Sequence, residues 1–149
     1  MTANELLRRY EMAAHWENGS YLERHYEHLS GGRAASGSIY YYVSPEERTA
    51  FHQIDCDEYW CYTEGSPLEV WLVDERGALT VQRLGTEDGC EPLIYVRQGV
   101  IFASRHSGTP SDGTFLTCIT VPRFDAEGFR MLTEAEVVSL CPDAAAFFA

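Results

Sequence analysis

FHQIDCDEYWCYTEGSPLEVWL, residues 51–72, decides the reading of the whole chain. Tyr59, Trp60, Tyr62, Val70 and Trp71 make it rich in β-forming residues, and the Asp55-Cys56-Asp57 and Gly65-Ser66-Pro67 breaks leave runs too short for helices. The runs are therefore read as strands, whose side chains alternate in direction. Glu58, Trp60 and Tyr62 then share one face and Tyr59, Cys61 and Thr63 the other, and the pattern continues with Leu68, Val70 and Leu72 against Glu69, Trp71 and Val73. A hairpin is expected to turn at Gly65-Ser66-Pro67. His52 and Glu58 are set against apolar surface, where desolvation moves pKa values, so this stretch is also the first place to look for chemistry.

Outward from it, further short strands are expected over 21–28, 39–43, 78–84, 93–96, 100–104 and 115–121, with a turn at Asp74-Glu75-Arg76-Gly77. Such spacing reads as a closed barrel or a sandwich. Two helices flank the strands. Thr2 with Glu5 makes a capping box for a helix over 2–12, with Leu6, Leu7 and Tyr10 on one stripe, and Thr133-Glu134-Ala135-Glu136 starts a second that ends before Pro142. The glycines in the loop 30–37 are not followed by Gly-Lys-Ser/Thr, so a plain loop is favoured over a phosphate cradle.

With 149 residues the chain is read as one domain, residues 1–149. A hydrophobic content of 45% excludes a disordered chain, and the formal net charge of −12 argues against nucleic acid and anionic membranes as partners. Five cysteines without a C-x-x-C fit reduced thiols, and the polar first thirty residues hold no signal-peptide core, so a cytoplasmic location is expected.

The spacing of His52, Glu58 and Gly65 resembles the first motif of the cupin superfamily, His-x-His, three or four residues, Glu, six residues, Gly, with Ile54 at the second histidine. The wider text is similar to one cupin-like family of unknown function, the fifth cupin group (domain of unknown function 985). Its His-Pro-Glu-Gly-Gly-Tyr-Phe resembles His15-Trp16-Glu17-Asn18-Gly19-Ser20-Tyr21 with Glu23 following, its Ser-x-Ile-Tyr-Tyr is approached by Ser36-Gly37-Ser38-Ile39-Tyr40-Tyr41, and its Asp-Glu-x-Trp-His resembles Asp57-Glu58-Tyr59-Trp60-Cys61. Phe124, Asp125 and Phe129 resemble its closing Gly-Phe-Asp-Phe-x-Asp-Phe. The resemblance implies an all-β, cupin-type β-barrel or jelly roll (double-stranded β-helix) with short N- and C-terminal helices.

Function then divides into three readings. In the first, a small-molecule isomerase, epimerase or cyclase moves a proton next to a carbonyl without a metal or other cofactor: His52 is the base, Glu58 orients it, and one of Tyr21, Tyr40, Tyr42 or Tyr62 is the acid. The second is a barrel that binds a small metabolite without turnover, with Tyr21, Glu23, Tyr40, Trp60, Tyr62 and Phe102 as ligand-contacting candidates; for Trp60, Tyr62 and Phe102 a core position is favoured over a ligand platform. The third is a metal-dependent oxygenase. It requires about three His or carboxylate ligands, whereas Ile54 and Phe102 stand where the two cupin motifs have histidines, so no metal is expected unless His106 joins His52 and Glu58. An unpaired edge near 21–28 leads to the expectation of a homodimer.

Overall fold

The computed structural model describes residues 1–26 and 32–149. Among the described residues eleven strands form two antiparallel sheets. The first is ordered β1 (Ala13–Ala14), β2 (Ser20–Tyr26), β3 (Gly37–Val43), β10 (Thr114–Val121), β5 (Asp57–Gly65) and β8 (Leu93–Val96). The second is ordered β11 (Arg130–Met131), β4 (His52–Gln53), β9 (Ile101–Arg105), β6 (Leu68–Val73) and β7 (Leu79–Leu84). From β5 onward the chain repeatedly passes from one sheet to the other, as in a jelly roll.

That crossing corrects the expected hairpin at Gly65-Ser66-Pro67. β5 and β6 lie in different sheets and do not pair; instead β5 pairs with β10 and β8, and β6 with β7 and β9. The reason is local. Gly65 has φ +107°, and the backbone N–H of Ser66 donates to Gly113 O at 3.0 Å, so the break is tied to the start of β10 and serves as a corner. The hairpin in this region is one turn later, between β6 and β7. There Asp74 Oδ1 accepts from Arg76 N (2.9 Å) and Ala78 N (2.8 Å), and Gly77 takes φ +77°.

Alternation along the strands sorts the core. Trp60, Leu68, Val70, Leu72, Phe102 and Leu116 point between the sheets, with Tyr41 beside them. Trp71, Val73, Ile101 and Ala103 point to the outer face of the second sheet, where Val137, Cys141, Ala144 and Phe147 cover them. These come from α2 (Glu134–Leu140) and from a 3-10 turn at Pro142–Phe147 that continues the chain beyond the expected stop. α1 (Ala3–Tyr10) covers part of the outer face of the first sheet, laying Leu6, Leu7 and Tyr10 against Tyr42 and Phe115. Both helices have the capping boxes read from sequence, Thr2 with Glu5 and Thr133 with Glu136. β2 runs from Ser20 to Tyr26; Glu27 and His28 of the strand expected there, and the first two residues of the loop 30–37, lie outside the described residues.

Candidate functional site

A cavity of about 170 Å³ lies between the two sheets. The loop joining β1 to β2 builds its most polar wall. Asn18 and Gly19 both take φ +77°, His15 N bonds to Gly19 O at 3.0 Å, and Asn18 Nδ2 donates to Arg48 O at 2.8 Å. The tight turn drives Glu17 inward, to 5% exposure, and leaves Trp16 outward at 61%. β4 brings His52 to the same wall.

Glu17 Oε2 lies 2.6 Å from His52 Nδ1, and Ala50 O lies 2.9 Å from the same nitrogen. The N–H is aligned with Ala50 O, so Glu17 Oε2 meets the imidazole as a neighbouring charge and has no aligned hydrogen bond of its own. Phe102 packs against His52 with ring centroids 4.1 Å apart, and Phe129 stacks on it at 5.5 Å and 26°. The ring is thus held by two aromatics and a carboxylate. Burial by itself lowers the His52 pKa, but the Glu17 charge beside it prevails and raises it above the ordinary value. For Glu17, burial opposes ionisation, yet the His52 charge beside it prevails and lowers its pKa from the ordinary value. Glu17 is therefore the acid that stands beside His52 Nδ1, the place the sequence reading gave to Glu58.

Glu58, on β5, accepts a hydrogen bond from Trp60 Nε1 at 2.9 Å. Burial, reinforced by the negative charge of Glu17, pushes its pKa up to about 7 in spite of His52 and Trp60. Two acids of one cavity are thus forced apart: Glu17 is ionised and Glu58 is poised near neutrality. His15 Nδ1 accepts from Glu17 N at 3.3 Å, and burial lowers its pKa toward the neutral imidazole. At the mouth, Arg123 donates to both oxygens of Glu23 at 2.9 and 3.1 Å.

Of the residues singled out from sequence, His52, Glu58, Tyr21 and Glu23 line the cavity. Tyr40, Trp60, Tyr62 and Phe102 do not. Tyr40 is on the outer face beside Tyr10 and Phe115. Trp60 is wholly buried and reaches the site through its bond to Glu58. Tyr62 donates to Gly65 O at 2.7 Å, and Phe102 lies behind His52. His106 is away from the cavity, with Nε2 2.9 Å from Thr114 Oγ1. Among the described residues no three His, Cys, Asp or Glu side chains are grouped to hold a metal ion, and with Ile54 and Phe102 at the motif positions the donor set does not fit a metal centre. Sequence reasoning passed over Glu17, His15, Tyr41, Thr120, Phe124 and Phe129 as site residues. For Glu17 the signal was present, an acid inside the matched phrase 15–21 and one turn-glycine away from β2.

Two solved structures are similar over nearly the whole chain. One, from Shewanella oneidensis, is 25% identical with a TM-score of 0.87 and covers 98% of this chain and 94% of that one. The other, a hypothetical protein from Leishmania major, is 26% identical with a TM-score of 0.83 and covers 98% and 96%. Oxalate decarboxylase from Bacillus subtilis, at 18% identity and a TM-score of 0.63, covers 93% of this chain but 35% of its own, and shares the fold alone. Curated proteins give no sequence match. Residues 4–132 match the family described as Cupin superfamily (DUF985), and with its jelly roll and its Glu17, His52 and Glu58 arranged around one cavity the chain belongs to that family.

Proposed function

We propose that the protein is an isomerase or epimerase, or a related cyclase, that moves a proton next to the carbonyl of a small molecule without a cofactor. The observation that carries this reading is the arrangement of Glu58 and the Glu17–His52 pair, all three buried, on one cavity. Ionised Glu58 takes the proton from the carbon beside the carbonyl, the C–H electron pair moves into a C=C bond, and the carbonyl π pair moves onto oxygen. Protonated His52, its Nδ1 engaged by Glu17 and Ala50, offers Nε2–H to that developing oxyanion. Where the carbon that lost the proton bears a hydroxyl, His52 gives its Nε2 proton to the oxyanion and takes the hydroxyl proton, that oxygen becomes the new carbonyl, and Glu58, now neutral, returns its proton to the former carbonyl carbon. The chain has no lysine, so the carbonyl is activated by a hydrogen bond from His52 and not as a lysine imine.

Solvent deuterium tests this without knowledge of the substrate. Incubated in heavy water with small aldehydes, ketones and hydroxyketones, the protein is expected to wash deuterium into the position beside a carbonyl, and Glu58→Gln to lose this by at least ~100-fold, the lower range for a general base. Exchange undiminished in Glu58→Gln overturns the assignment. Binding without exchange by the unaltered protein selects the second reading, a metabolite-binding barrel, which the aromatic mouth formed by Trp16, Phe124 and Phe129 also favours. Oxalate, the substrate named for the Bacillus subtilis neighbour, suits this cavity poorly because Glu17, Glu23 and Glu58 face it.

A homodimer is supported by β2, whose outer side beyond Tyr21 has no strand partner among the described residues, and light scattering that shows a monomer removes it. A cytoplasmic location is supported by the five unpaired cysteines. No helix among the described residues is long and apolar enough to cross a membrane.

A further inference from the structure

Trp16 is a large aromatic side chain set mostly in solvent at the mouth, 61% exposed although the next residue is buried. It is not on a loose loop. Asn18 Nδ2 is bonded to Arg48 O, Asn18 O accepts from Tyr41 at 2.7 Å, and the indole leans on Phe129 at 5.7 Å and Phe124 at 6.2 Å, with those two rings 5.9 Å apart. Three rings fixed at a cavity entrance form a surface for a flat partner, and an exposed indole gains by being covered. At about 170 Å³ the interior is close to the size of an engineered cavity of ~150 Å³ that takes up benzene.

Charge restricts the partner further. The cavity and its rim hold Glu17, Glu23 and Glu58 against His52 and Arg123. Each cation already faces an acid: His52 faces Glu17 and Arg123 grips Glu23 through both oxygens. His15 has its Nδ1 occupied by the Glu17 N–H. One carboxyl is therefore in excess, the whole chain carries −12, and an anion entering finds repulsion without a waiting counter-charge among the described residues.

We infer that the cavity selects a small planar ligand bearing no negative charge, stacked on Trp16 at the mouth, and discriminates against carboxylates and phosphates of the same shape. This rests on the cavity being the ligand site, as proposed above, and on none of the chemistry assigned to it. Glu58, the carboxyl left without a cation, sets the charge selectivity and Trp16 supplies the platform.

Benzamide and benzoate, planar and nearly isosteric, are the test probes, titrated at pH 7.5 into nitrogen-15-labelled protein while the indole N–H resonances are followed. The three tryptophans give three reporters: Trp16 at the mouth, Trp60 bonded to Glu58, and Trp71 on the far face bonded to Glu69 at 3.0 Å. Benzamide is expected to shift Trp16 and Trp60 saturably and leave Trp71 in place, with benzoate at least ~10-fold weaker. Trp16→Ala should weaken benzamide by about fivefold, in line with the loss of one ring contact, and Glu58→Gln should narrow the gap between the probes. Benzoate binding as tightly as benzamide overturns the inference. So does the absence of saturable shifts with either probe, or unchanged benzamide affinity in Trp16→Ala. Benzamide binding as expected in a protein that exchanges no deuterium would leave this inference standing and remove the enzymatic reading alone.

Discussion

Glu58 and the Glu17–His52 pair make opposite demands on pH. Glu58 has a folded pKa of about 7, above its ordinary 4.5, so the folded protein holds that proton more tightly than the unfolded chain does. Its contribution is fully present below about pH 4.5 and is lost as pH rises through 7. His52 is also raised, so its share is present below its ordinary value and is likewise lost on the alkaline side. Glu17 is lowered, and its share is lost on the acid side. Stability is therefore expected to peak between about pH 5 and 6.5 and to decline toward pH 9, a window that urea denaturation at spaced pH values will reveal. Glu58→Gln keeps an oxygen for Trp60 and removes the titration. It should match the unaltered protein near pH 5 and exceed it by roughly 3 kcal/mol at pH 9, the value of a shift of this size; no alkaline gain would mean that Glu58 ionises normally. Glu17→Ala is the contrary case. It strands His52 between Phe102 and Phe129 without its counter-charge, and should cost about 3–5 kcal/mol near pH 6. Glu17→Ala denaturing at the same urea concentration as the unaltered protein would contradict the pairing.

At the scale of elements, Gly65 shows why the corner between β5 and β6 needs its residue. A Cβ there would lie 2.0 Å from Gly113 O and 2.8 Å from Ala3 Cβ, and φ is +107°. Gly89 has φ +79° with nothing near a Cβ. Gly65→Ala is expected to cost more than about 3 kcal/mol or to prevent folding, and Gly89→Ala only the ~1–2 kcal/mol of the left-handed conformation; equal costs by urea denaturation would show that the corner has room to relax. The same corner marks where reading the sequence stopped. Alternation identified the inward face of β5 and β6 because burial imposes it locally, and the capping boxes were legible because donor and acceptor are three residues apart. Which strands pair was not legible. The backbone bond that makes Gly65-Ser66-Pro67 a corner comes from Gly113, remote in the chain. The site divides along the same line. His52 and Glu58 sit in one motif, whereas the partner of His52 comes from residue 17 and its stacking ring from residue 129. Tyr40 pointed outward because β3 presents Tyr41 to the interior, a one-residue phase that three successive tyrosines conceal.

The whole molecule carries 23 acidic and 11 basic residues, all of the latter arginines, and its net charge of −12 sets how it responds to salt. Two effects compete. Exposed pairs such as Arg130–Glu136 at 3.3 Å and Arg123–Glu23 at 2.9 Å are weakened by screening, but exposed ion pairs contribute little to stability. Unpaired carboxylates repel one another over the whole surface, and salt relieves that repulsion, with a Debye length that falls to about 10 Å at 0.1 M. With twelve more acids than bases the repulsive share is the larger. The Glu17–His52 pair is buried and little screened, so it should not reverse the balance. Raising sodium chloride from 10 to 300 mM at pH 7.5 is therefore expected to increase Tm by a few degrees, since ~1 kcal/mol moves a chain of this size by roughly 2–8 °C. The gain should shrink toward pH 4.5, where exposed carboxylates begin to take up protons and the repulsion fades. Calorimetry that finds Tm falling with salt at pH 7.5 would show that the surface pairs outweigh the excess charge, and that the acids are arranged beside the arginines more favourably than their number implies.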